Sequence, residues 1–103
     1  MIPFGGLGYK AIKSIRQDNV SPVRAAAAQK IARDPDPKSA QALVTATSDD
    51  KWLVRASAIS AIAQRGDPAL ITAVTSRLDD EEESVRFNAA AAVIRLSEKP
   101  AKK

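Results

Sequence analysis

The chain has no cysteine and no histidine. Their absence excludes disulfides, thiol nucleophiles, imidazole general bases and the zinc and haem sites built on those side chains. Aromatics are scarce: Phe4, Tyr9, Trp52 and Phe87 make up 4% of 103 residues. Strands draw on bulky and branched side chains, whereas alanine is the largest contributor to the apolar share here, so composition favours closely packed helices. No apolar run approaches the ~20 residues of a membrane span. The opening MIPFGGLGYKAI lacks a basic start followed by a sustained apolar core, so no signal peptide is read and a cytoplasmic location is expected. The net charge of +4 is mild and falls short of a dedicated nucleic-acid stripe.

What is present is a repeat. At an offset of 31 residues the same residue returns three times at four positions: Asp18, Asp49 and Asp80; Val23, Val54 and Val85; Arg24, Arg55 and Arg86; Ala27, Ala58 and Ala89. Ile31, Ile62 and Val93 agree in character, and Asp36-Pro37 returns as Asp67-Pro68. A register held over three copies marks a repeat architecture.

The first copy follows a lead-in rich in Gly and Pro, expected to be irregular up to Gly8 unless Ile2, Phe4 and Leu7 cover the open end of the stack. A helix is predicted from about Tyr9 to Gln17, with Tyr9, Ile12 and Ile15 on one stripe. Ser21-Pro22 reads as cap and first turn of a helix from Val23 to about Arg33, burying Val23, Ala27 and Ile31. Asp36-Pro37 opens a helix to about Thr47, with Ala40, Leu43 and Ala46 inward. Ser48-Asp49-Asp50 makes the turn into a helix from Lys51 to Gln64, which Gly66 ends in the left-handed region. The third copy repeats the plan: a helix from Asp67-Pro68 to about Leu78 with Ile71, Val74 and Leu78 inward, an acidic turn, then Ser84 capping a helix to about Ser97. The copies span about 9–34, 35–65 and 66–97 in one domain, and the tail 98–103 is expected to fray. Each helix pair is too short to hold alone in water, so its apolar face must be buried by the next pair.

An Asp-Pro-led helix, an acidic turn and a Val-Arg-led alanine-rich helix resemble the short HEAT-like repeat first associated with phycobilisome lyases, and are similar to designed proteins built from that consensus. The likeness covers about Tyr9 to Ser97. It implies an all-α, right-handed superhelix of about three helix pairs, whose second helices line the concave side. On that side the exposed candidates are Gln29, Arg33, Ser57, Ser60, Gln64, Phe87, Asn88, Ala91 and Arg95, with Phe87 the expected anchor.

The Asp–Arg pairs (Asp18 with Arg24, Asp49 with Arg55, Asp80 with Arg86) stand six residues apart. They read first as a ladder of charge-assisted hydrogen bonds, within a copy or across to the next, and second as an anion-binding row. Trp52 reads as packing before partner anchor. The run from Asp79 to Glu83 reads as a solvated turn, because it lacks the spaced oxygens and central glycine of a calcium loop. Gly5-Gly6-Leu7-Gly8 lacks the Lys-Ser/Thr of a phosphate loop. The expected function is therefore a non-catalytic interaction module for a protein or peptide, needing no cofactor or metal. The alternatives are a chromophore-lyase or chaperone-like subunit, suggested by repeat type alone, and weak nucleic-acid binding through Lys10, Lys13, Arg16, Lys30 and Arg33. A fourth possibility is a fragment or engineered piece of a longer array, whose open stack ends would self-associate.

Overall fold

The computed structural model describes residues 4–17 and 20–98, with side chains over 9–15 and 20–98. Among these residues there are helices and turns and no strands. The helices are α1 (Phe4–Gln17), α2 (Ser21–Lys30), α3 (Pro37–Ala46), α4 (Trp52–Arg65), α5 (Ile71–Thr75, preceded by a 3-10 turn over Pro68–Leu70) and α6 (Glu83–Ser97). They pair in sequence, α1 with α2, α3 with α4 and α5 with α6. The pairs stack: α4 lies between α2 and α6, and α1 packs on α3. The result is an all-α solenoid, a slab 15 Å thick and 39 Å along its other two dimensions.

Small side chains set the spacing of the stack. Ala28, Ala58, Ala61, Ala89 and Ala92 are fully buried, with Val54, Ile59, Ile62 and Val85 filling the space around them. The α2–α4–α6 layer closes tightly because alanine lets backbones approach where a longer side chain would hold them apart. Leu43 and Val74 carry the core into the other layer.

Local chemistry sets the helix ends. The carboxylates of Asp36 and Asp67 accept hydrogen bonds from the Lys38 and Ala69 amides at 2.9 and 3.0 Å, each beside a first-turn proline. Gly66 closes α4 at φ 69°, a conformation that glycine enters without a Cβ clash.

Several expectations are corrected. The first helix begins at Phe4, so the glycines lie inside it; packing of α1 on α2 and α3 outweighs their low propensity of about 1 kcal/mol each. Helix α2 ends at Lys30, three residues short of the expected Arg33, and the first helix of the third copy shrinks to a 3-10 turn and α5. Val20 and Glu82 occupy the N-cap positions expected of Ser21 and Ser84, which lie inside their helices. Tyr9, Val23 and Leu78, expected to face inward, are 67%, 43% and 41% exposed. For Val23 and Leu78 the cause is position in the stack. Val54 and Val85, which match Val23, are fully buried, and Thr47, which matches Leu78, is buried at 3%. Among the described residues no pair precedes Val23 and none follows Leu78. Trp52, at the start of α4, is 44% exposed. Asp18, the 99–103 part of the tail and the side chains of Ile2, Phe4, Leu7 and Arg16 lie outside the described residues.

Candidate interaction surface

The turn at the start of each second helix is built on its aspartate. Asp49 Oδ1 accepts the Lys51 amide at 2.9 Å, and Asp80 Oδ1 accepts the Glu82 amide at the same distance. Each carboxylate is thereby aimed back at the preceding copy. Arg24 donates from Nε and Nη2 to the Asp49 carboxylate at 3.0 and 2.9 Å; Arg55 does the same to Asp80, at 2.9 Å for both bonds. The arginine also binds within its own copy: Arg55 Nη1 donates to the Asp49 carbonyl at 2.9 Å and Arg86 Nη1 to the Asp80 carbonyl at 2.8 Å. One guanidinium therefore ties the turn of its own copy to the carboxylate of the next.

The two rungs differ in exposure. The side chains of Arg55 and Asp80 are 8% and 3% exposed, those of Arg24 and Asp49 12% and 15%. The bidentate contact from Arg55 holds the Asp80 carboxyl below its ordinary pKa against the opposing effect of burial, and raises that of Arg55 in turn. At Asp49 burial works against the charge, but the hydrogen bonds from Arg24 and the Lys51 amide prevail and its pKa is also lowered. Arg77 adds a second cation 3.8 Å from Asp80 and donates to Ser48 Oγ at 2.9 Å.

The second helices also carry a polar strip, traced by the 31-residue register through three rows: Ala26, Ser57 and Asn88; Gln29, Ser60 and Ala91; Arg33, Gln64 and Arg95. Gln29 Nε2 donates to the Ser57 carbonyl at 3.3 Å, and Gln64 Nε2 to Gln29 Oε1 at 3.4 Å, so neighbouring copies are linked along it. Asn88 Nδ2 turns back to the Ser84 carbonyl at 2.8 Å. Ser57, Ser60 and Asn88 are half-buried, while Gln29, Arg33, Gln64 and Arg95 are exposed.

The third row borders an open groove of about 470 Å³ lined by Arg33, Asp34, Gln64, Arg65, Asp67 and Arg95. Arg65 is committed to structure, its Nη1 donating to the Ile31 carbonyl at 3.2 Å and to the Asp34 carbonyl. Arg33 makes no ion pair among the described residues, and Arg95 meets only Glu98, at 3.7 Å. Beside the Asp34 and Asp67 carboxylates the groove thus offers the Arg33 guanidinium, free of ion pairs among the described residues, and that of Arg95, loosely paired with Glu98. The Gln64 amide lies between them, and the set is able to meet a carboxylate-bearing chain.

The structure brings Arg33, Gln64 and Arg95 together and leaves Phe87 elsewhere. Phe87 is 75% exposed, yet its register mates Ala25 and Ala56 are buried at 6% and 8%. It therefore stands on the terminal stacking face. Sequence reasoning missed the Arg65 clamp and the buried Ser39, whose Oγ donates to Asp34 Oδ2 at 2.9 Å, and read Asp67 as a helix start without placing it in the groove. Only the Asp-Pro steps beside Ser39 and Asp67 carried a signal.

Among the described residues no cluster of acidic side chains is arranged to hold a metal ion, and no helix is long and apolar enough to cross a membrane. No curated protein matches the chain. The family model for HEAT repeats matches residues 10–95. With its helix pairs stacked at a 31-residue cadence, this chain belongs to the HEAT-repeat family.

Proposed function

We propose that the chain is a non-catalytic interaction module that holds an acidic peptide or protein segment along the second-helix strip. HEAT repeats commonly mediate protein–protein contacts, and the groove beside Arg33, Gln64 and Arg95 carries the reading for this chain. The bonds from Gln29 to Ser57 and from Gln64 to Gln29 link neighbouring copies along the strip before any partner arrives, which limits the ordering cost of binding. The arginines of the second helices other than Arg95 are engaged in rungs or clamps, leaving Arg95, and Arg33 in the turn after α2, to meet a ligand. Nothing in the proposal requires a covalent step.

The test is selection from a random displayed-peptide library on the wild-type chain. Peptides rich in Asp and Glu should emerge and should lose about tenfold or more in affinity for Arg33→Glu/Gln64→Ala, since contacts to charged groups are worth ~1.5–3 kcal/mol. Selection of basic or purely apolar peptides, or equal binding by the variant, refutes the proposal.

A further inference from the structure

We propose that the exposed face of α6 is a homodimer interface, at which a second copy of this chain packs antiparallel about a two-fold axis passing beside Ala90 and Ala91. Phe87, Ala90, Ala91 and Ile94 share an arc of about 100° on the helix. Phe87 and Ile94 are 75% and 65% exposed, and Ala90 and Ala91 are exposed between them. Leu78, 41% exposed, stands at the same end of the stack. In the preceding copy the matching positions Thr47 and Ala56 are 3% and 8% exposed, so this end is built as a stacking surface.

The order large, small, small, large reads the same in both directions. An antiparallel partner sets each Phe87 against the other copy's Ile94 and brings alanines together at the centre, where they permit the close approach seen between α2, α4 and α6. The same pairing gathers Glu83 and Arg86 of one copy with Arg95 and Glu98 of the other, two cations and two carboxylates at each end.

The opposite end of the stack does not suit the face. Its groove is lined by Lys10, Ala11, Val23, Ala26 and Lys30, among other residues. Head-to-tail stacking in register would place Lys30 where Ala61 and Ala92 are fully buried, and an unpaired buried ammonium opposes that. Association therefore closes as a dimer. The slab is only 15 Å thick, so its end is a narrow face beside the ~800 Å² per partner of a standard stable interface, and the dimer is weak.

Sedimentation equilibrium from about 10 µM to about 1 mM should show a monomer–dimer equilibrium with no larger species, as expected of a small interface. Phe87→Glu should weaken it at least about tenfold, while Val23→Glu on the opposite end should not. Because the chain has no cysteine, Ala91→Cys lies beside its own copy across the axis and should cross-link to a covalent dimer under mild oxidation, whereas Val23→Cys should not. A chain that stays monomeric throughout, species larger than dimers, disruption by Val23→Glu, or failure of Ala91→Cys to cross-link would each overturn the proposal. Arg95 borders both surfaces, but the selection experiment reads Arg33 and Gln64, which lie off this face, so either proposal can fail alone.

Discussion

Replacing Arg55 with methionine tests whether the rungs between copies hold the stack together. Methionine keeps the length and apolar stem but removes both bonds to Asp80 and the bond to the Asp49 carbonyl. The Asp80 carboxylate, 3% exposed in the intact rung, would keep Arg77 as its nearest cation, at 3.8 Å. Removing one partner of a buried ion pair costs about 3–5 kcal/mol, because the other charge is left in a medium that solvates it poorly. For a chain of this size, that corresponds to a fall in Tm on the order of 15–25 °C.

The structure also orders the series. Arg24→Met leaves Asp49 15% exposed and reachable by water, so it should cost about 1.5–3 kcal/mol. Arg86→Met removes a single bond to a carbonyl and should cost about 1 kcal/mol or less. Converting the stranded carboxylate to an amide in Arg55→Met/Asp80→Asn should recover at least half of the loss, since the buried charge is gone while the acceptor for the Glu82 amide remains. Thermal and urea unfolding followed by circular dichroism measures all four. Equal losses at the three arginines, or a double variant less stable than Arg55→Met, would refute the reasoning.

Acid should unfold the chain through the same rungs. The lowered pKa of Asp80 and Asp49 means stability is fully present above the unfolded carboxylate value of about 3.9 and is lost as pH falls through the lower folded values. Urea midpoints should therefore be nearly flat from pH 7 to about 5 and drop below about 4, and Asp80→Asn should flatten that drop. Gly66→Ala should cost about 1–2 kcal/mol from its left-handed backbone. The added methyl would meet the far end of Arg95 at 3.3 Å, a flexible group that can move aside, so a much larger loss of Tm would show the packing there to be rigid.

The 31-residue cadence was legible because burial in a stack repeats: a position under the next pair in one copy is under it in every internal copy. Three alanines at one offset, Ala27, Ala58 and Ala89, carry that signal, and all are buried at 7% or less. The start of α1 was not legible, since its glycines disfavour a helix locally and only its packing on α2 and α3 overrides them. Nor was the direction of the rungs. An aspartate and arginine six residues apart could pair within a copy or across copies, and sequence spacing is silent between the two. The turn geometry decides, because the Lys51 and Glu82 amides orient the carboxylates toward the preceding arginine. The groove depends on helix ends from successive copies, Arg33, Gln64 and Arg95, and so could be read only as isolated polar positions.

Phe87 shows how the register separates two kinds of exposed residue. A side chain exposed in every copy, as Gln29 is and its mate Ser60 partly is, faces solvent because of where it lies on the helix. One exposed only in the third copy, like Phe87 beside buried Ala25 and Ala56, is exposed because no further pair lies on it among the described residues. The first kind fits a partner running along the slab; the second fits something that continues or closes it. The two are coupled by geometry. A two-fold axis perpendicular to the α2–α4–α6 layer leaves the polar strips of both copies on the same side. The proposed dimer would therefore join two three-helix floors into one of six, presenting two grooves, each with its Arg33 and Gln64, to a single partner. Two linked sites raise avidity without a new contact when the partner can span them. A weak end-face association would thus strengthen binding most for partners carrying the acidic segment twice.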